Sequence, residues 1–296
     1  MRRLMVIFCL AVVTLLVLSA SGCGSETTSE ATIDSETAGK KIGDFDPDNF
    51  DRSTNIDNEW WPLKPGTQFV YEGFTVENDE RITHRLVINV TDLTKEINGV
   101  RAVVVYEKDY SDDVLVESEL AFFAQDNDGN VWHLGQYRET YDEKEFVGGR
   151  VFLVGHLDGA RAGIMMPAEP RAGTPDYSQG YGPPPFNWTD RGRVYQTGQK
   201  TKVAFGSYED VLVLEEYNDE EPGAFQLKYY ARGVGNVRVG WRGDDPNREE
   251  MELIDLVQLD SAARAEVRAE ALDLETRAYV YGTTPPAEQT LDVEAP

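Results

Sequence analysis

The sequence predicts a mainly β protein: a large antiparallel sheet, curved or forming a partial barrel, with an irregular Gly/Pro-rich excursion and a C-terminal helix. Three observations predict it. Runs rich in Val, Ile, Tyr and Phe recur from residue 66 to residue 259 without helical periodicity. Asn-Gly and Asp-Gly pairs separate some of these runs at hairpin spacing, because both residue types tolerate positive φ. Only after Ser261 do apolar residues recur at three- and four-residue intervals.

The first strand is expected over 66–76, after the turn-like Leu63-Lys64-Pro65-Gly66. Residues 84–110 read as two strands around Asn98-Gly99, and residues 113–141 repeat the pattern around Asp128-Gly129. Within the latter, Leu115, Glu117 and Glu119 share one strand face, and the two acids are expected to be solvated there. Residues 146–188 form the excursion, dense in glycine and carrying Pro167, Pro170, Pro175, Pro183, Pro184 and Pro185, so helix and interior strand are both awkward. Strands resume over 192–219, with a turn at Gly206-Ser207, and continue over 223–243 and 251–259. Ser261 is placed to cap a helix with Val267, Ala271, Leu274 and Ala278 along one side.

The N-terminal region has a different chemistry. Arg2 and Arg3 precede an apolar run from Leu4 to Leu18, shorter than the roughly 20 residues of a membrane-spanning helix, and small residues follow it. Residues 1–22 therefore read as a signal peptide. Ala20-Ser21-Gly22-Cys23 resembles the lipobox of bacterial lipoproteins, which implies lipidation of Cys23 and attachment to a membrane outside the cytoplasm. The other cysteine, Cys9, would leave with the leader, so the mature chain is expected to have no disulfide partner for Cys23 and no thiol nucleophile. Residues 23–48 read as the lipidated cysteine and a flexible Ser/Thr/Glu-rich tether, 49–260 as one β-rich domain, 261–280 as a helix packed on it, and 281–296 as a disordered tail.

The formal charge of −25 becomes −27 without Arg2 and Arg3, since residues 1–22 hold no acid. Such a chain repels nucleic acid and favours cations or basic partners. Solubility in salt accounts for the same acids without any partner.

Several stretches together resemble a family of exported bacterial lipoproteins with a β-rich domain and no established activity. They are Trp61-Pro62-Leu63-Lys64-Pro65-Gly66-Thr67, residues 124–132, Gly163-Ile164-Met165-Met166-Pro167, residues 206–212 and residues 228–235. The resemblance implies export and a β domain, and it transfers no catalytic residue.

Candidate chemistry is sparse. Asp126 and Asp128 cluster oxygens around a turn glycine, so calcium is the one cofactor considered. Ala124 and Gly135 stand where an EF-hand needs carboxylates, which leaves an ordinary hairpin turn as the competing reading. His133, His156 and Asp158 are the residues available for proton transfer, the last two as a His-x-Asp pair. Trp61, Trp132, Met165, Met166, Tyr181 and Trp188 are candidates for an apolar ligand surface, and aromatic anchoring of a β core explains them equally well. No nucleophile elbow, phosphate loop or dinucleotide fingerprint occurs. Two classes follow: a membrane-tethered binding or accessory module for a small molecule or envelope component, and a metal-assisted hydrolase of the cell envelope.

Overall fold

Two-residue turns with both central residues at positive φ set the topology of the first half of the sheet. In the computed structural model, which describes residues 44–157, 159–218 and 220–291, such turns sit at Asn78-Asp79, Asn98-Gly99, Asp112-Asp113 and Glu143-Lys144. Their backbone twist matches that of paired strands, so each joins antiparallel neighbours directly. They link β1 (Thr67–Glu77) to β2 (Glu80–Ile97), β2 to β3 (Val100–Ser111), β3 to β4 (Val114–Gln125), and β5 (Val131–Asp142) to β6 (Glu145–Leu153). The leader, Cys23 and most of the tether lie outside the described residues, as does Asp158.

The excursion contributes the short strands β7 (Gly163–Met166) and β8 (Tyr177–Ser178). A second meander follows: β9 (Arg191–Lys202), β10 (Ser207–Tyr217), β11 (Ala224–Ala231), β12 (Gly235–Gly243) and β13 (Glu250–Gln258). Pairing of β1 with β13 joins the two meanders, giving the order β6-β5-β4-β3-β2-β1-β13-β12-β11-β10-β9-β8 with β7 on β5. The ladder does not close on itself. Instead the excursion stitches its ends. Arg161, just before β7, and Tyr181, just after β8, exchange backbone hydrogen bonds of 2.9 and 2.8 Å. Gly163 lies so near Gly180 that an added Cβ would stand 1.8 Å from the Gly180 nitrogen, which explains a glycine there.

The sheet is curved, because strands far apart in its order share one core. Val103 and Phe123 from β3 and β4 pack in the same cluster as Leu212, Tyr230 and Val237 from β10, β11 and β12. A second cluster covers the opposite face of β2–β7, where Leu93, Val104, Phe122 and Leu134 meet Ala271 and Leu274 of helix α1 (Ser261–Ala278). Burying each such aliphatic side chain contributes about 1.5–3 kcal/mol, so the two faces hold the sheet from both sides.

Charge supplements the weak apolar stripe of α1. Arg268 pairs with Asp92 and Lys108 with Glu270, while Arg277 reaches buried Glu139 at 2.9 Å. Lys95 and Glu275, both almost fully buried, meet at 2.6 Å.

Four expectations change. The helix cap is Asp260, whose Oδ1 accepts the Ala263 N–H at 2.9 Å, and not Ser261. Residues 145–153, read partly as excursion, form β6, because an edge strand tolerates Gly148 and Gly149 without loss of packing on a further neighbour. The tail expected to be disordered from 281 carries β14 (Glu288–Gln289), which pairs with β2 and is fastened by Lys95 to the Pro285 carbonyl and by Glu275 to the Ala287 N–H. Glu117 and Glu119 line the concave side of the sheet, not an open solvated face, because their period continues that of the buried Ala121 and Phe123.

Candidate functional site

The concave face is apolar over most of its depth and polar at one end. Along β3 the inward positions run Val103, Val105, Glu107, Asp109, and along β4 they run Phe123, Ala121, Glu119, Glu117. The register sets Glu107 opposite Glu119 and Asp109 opposite Glu117. Opposed like charges on one sheet face destabilise it when both ionise. Across the concavity stand Glu216 on β10 and Lys228 on β11, with Glu249 just before β13 and Asp190 just before β9. This polar mouth lies at the end of the sheet that carries the turns between β1 and β2, β3 and β4, and β5 and β6.

Few cations answer these acids. Arg138 Nε is 3.6 Å from Glu117 and finds no hydrogen-bond acceptor. Lys228 Nζ is 4.0 Å from Glu216. His84 bridges two carboxylates, with Nε2 2.6 Å from Asp109 and Nδ1 2.9 Å from Glu249, the second contact too bent for a good hydrogen bond. Burial opposes charge on His84, yet the two acids overcome it and push its pKa up to about 10, so it stands as an imidazolium. The same imidazolium holds the Glu249 carboxyl below its usual range despite burial.

The remaining acids go the other way. Burial, reinforced by neighbouring carboxylates against the pull of Lys228, pushes Glu107 up to about 7. Burial also lifts Glu117 to about 7, with Arg138 opposing, and Glu119 well above the ordinary carboxylate range. Asp190 is raised to about 6 by burial and by Glu216. Perturbed groups gathered in one concavity make it the candidate functional region.

Tyr177 completes the mouth. It pairs with Gly192, and its ring lies over that glycine, where a Cβ would meet the ring at 2.8 Å. Gly192 pairs in turn with Glu216, and the Tyr177 hydroxyl is buried and meets no partner among the described residues.

The residues singled out by sequence fall elsewhere. Asp126 builds its own turn: Oδ1 accepts the N–H groups of Asp128 at 3.0 Å and Asn130 at 2.8 Å, and Oδ2 accepts from the Asn130 amide and the Trp132 indole. Asp128 accepts from Asn49 at 3.0 Å. Among the described residues, no group of three or more His, Cys, Asp or Glu is arranged to hold a metal ion. His133 is 1% exposed, packed between Phe123, Phe152 and Trp188, and burial lowers its pKa to about 4. His156 is exposed, and its neighbour Asp158 is not among the described residues.

The apolar candidates divide between the faces. Trp132 packs in the outer core against Phe45 and Phe50, whereas Met166 is buried in the inner core with Trp61 and Met165 against it. Trp188 meets His133 edge to face and Tyr181 lies under Arg161 at the seam. A surface hollow of about 370 Å³ is lined by Tyr110, Asp113, Leu115, Tyr141 and Lys144 and by none of them.

Sequence reasoning missed His84 as a bridge, and with it Glu107, Asp109, Arg138 and Tyr177. A signal existed for the first acids: in Val103-Val104-Val105-Tyr106-Glu107-Lys108-Asp109 the charges continue the two-residue period of the buried valines. Nothing local marks Arg138 or Tyr177, whose roles depend on strands brought together from elsewhere.

No family model and no curated protein matches the chain. Among solved structures, the chain is similar to an inferred exported protein with a YmcC-like fold from Bacteroides fragilis, at 12% identity over 68% of this chain and 99% of that one, with a TM-score of 0.36. It is similar in the same degree to an inferred lipoprotein from Parabacteroides distasonis, at 10% identity over 68% of this chain and 100% of that one, also with a TM-score of 0.36.

Proposed function

We propose that the chain is an exported, lipid-anchored binding or accessory protein of the cell envelope, tethered through Cys23 and acting through the polar mouth of its curved sheet. The observation that carries the anchor is the sequence of residues 1–23: a cationic start, a short apolar run, small residues, and then the only cysteine that would remain in the mature chain. Residues 24–43 supply a polar stretch between that cysteine and the first described residues.

Binding is favoured over catalysis by what the histidines are doing. His84 is committed to two carboxylates, and His133 is sealed among aromatic rings, so neither is free to shuttle a proton to a substrate. The mouth, in contrast, gathers carboxyl groups that few of the protein's own cations answer.

Mass spectrometry of the mature protein from the membrane fraction tests the anchor. The expected species begins at Cys23 and carries acyl chains, and Cys23→Ala releases the domain from membranes. Full-length unmodified chain in the soluble cytoplasmic fraction would contradict it.

A further inference from the structure

We infer that the mouth binds an alkylammonium group, the cationic end of a polyamine or of a lysine side chain. This inference deepens the reading of the mouth as a binding face and is independent of the anchor. It stands on three arrangements.

The first is an excess of carboxyl groups over cations; among the described residues, Glu119 is answered only by the neutral amide of Gln136. Glu107 and Glu119 face each other, as do Asp109 and Glu117, and among the described residues no lysine, arginine or histidine comes within ion-pair distance of Glu107 or Glu119. Carboxylates kept together in a half-buried concavity without matching cations cost stability, which a bound cation would offset.

The second is the Tyr177 hydroxyl. It is buried, its residue being 3% exposed, it has no partner among the described residues, and the register runs from Tyr177 through Gly192 to Glu216 on one face of the sheet. A phenol oxygen beside carboxylates offers one more acceptor to a donor-rich group. An ammonium has three donors and no acceptor, so it matches a site made of carboxylates and a phenol. A bare divalent ion needs a closed cage of oxygens, and no three-group arrangement for one exists among the described residues.

The third is the rim. The turns at this end contribute Asp79, Asp112, Asp113, Glu143, Glu220 and Asp244, answered by Lys144 and by Arg248, which pairs with Asp79 at 3.0 Å. Acids around an opening focus the field and raise the local concentration of cations. They steer, whereas Glu107, Glu119 and Tyr177 select.

Calorimetric titration of the full mature chain in detergent tests this, with spermidine as one probe and a short lysine-containing peptide as the other. Runs in two buffers of different ionisation enthalpy count protons. The result expected is saturable one-site binding with proton release at about pH 6, where the raised carboxyls hold protons, and less release at about pH 8.5. Tyr177→Phe and Glu119→Gln should each weaken binding about tenfold, whereas the rim change Glu143→Gln should alter it less than about threefold. Preference for spermidine assigns the site to free polyamines, and preference for the peptide assigns it to a protein partner. Thermal melts of each variant separate lost binding from lost folding, and Glu119→Gln is expected to melt no lower than the parent. Non-saturating binding that falls equally in rim and mouth variants would overturn the inference in favour of diffuse attraction to an acidic protein. Tighter binding of calcium alone, with the same proton release, would overturn it in favour of a metal site.

Discussion

Glu107 on β3 and Glu119 on β4 are directly opposed partners that both face the concavity of the sheet. Paired carboxyls at such a position are tolerated when a proton or a cation lies between them, and the energetic consequences can be measured residue by residue.

Replacing one carboxyl should relieve the repulsion. Glu119→Gln is expected to raise stability at about pH 8 by roughly 0.5–1 kcal/mol, and to change it little at about pH 5, where the pair already shares protons. Urea unfolding at the two pH values checks this. Equal loss of stability at both would mean that the Glu119 charge is stabilising.

Stability of the whole domain should decline as the solution becomes alkaline. Glu107 and Glu117 have folded values near 7, above the ordinary 4.5, so the native state retains protons that the unfolded chain releases. Their contribution is greatest below about 4.5 and is lost as pH rises through about 7; Asp190 behaves likewise with a value near 6. His84 extends the trend: its contribution is complete below its ordinary 6.5 and is lost as pH rises through about 10. His133 opposes them below 6.5, since its value near 4 means that acid favours the unfolded chain, but the acids outnumber it. Below the carboxylate range, Glu249 and Glu139 act in the opposite direction, because their lowered values make ionisation favour the fold. Melting temperature is therefore expected to peak in mildly acidic solution and to fall steadily toward about pH 9.

Lys95 and Glu275 join β2 to α1 and also hold residues 285–287, so removing one leaves the other buried without its counter-charge. Lys95→Met should cost about 3–5 kcal/mol, and adding Glu275→Leu should recover part of it. Hydrogen exchange checks the mechanism: the single variant should speed exchange at residues 287–291 as β14 detaches from β2.

Asp126 receives four hydrogen bonds inside its turn. Asp126→Ala should destabilise by about 3 kcal/mol in calcium-free buffer, because a buried tryptophan N–H and two backbone N–H groups lose a charged acceptor. Chemical unfolding with a chelator present measures it. A loss seen only when calcium is supplied would restore the cation reading of this turn.

Much of the fold was legible because sheet formation has a short-range signature. Asn98-Gly99 announced its hairpin, and the break in pattern after Gln258 announced the helix. The turns at Asp112-Asp113 and Glu143-Lys144 were harder to see, since neither supplies a glycine at its positive-φ positions. β6 was obscured by Gly148-Gly149, and β14 by the prolines before it. The mouth was legible in part: the period of β3 and β4 places four acids on the face of the buried valines and phenylalanine. Its far wall was not, because only the curvature of the sheet brings Glu216, Lys228 and Tyr177 across from strands remote in sequence and in sheet order.

The central claim is that these carboxyls stand together inside the sheet and are not spread on a solvated surface. Carbon-13 NMR titration of the glutamate side-chain carboxyls, assigned with Glu107→Gln and Glu117→Gln, tests it most directly. The account predicts ionisation midpoints near 7 for both residues, each shifting downward when the other is replaced. Midpoints in the ordinary range near 4.5, unaffected by the neighbouring substitution, would contradict it.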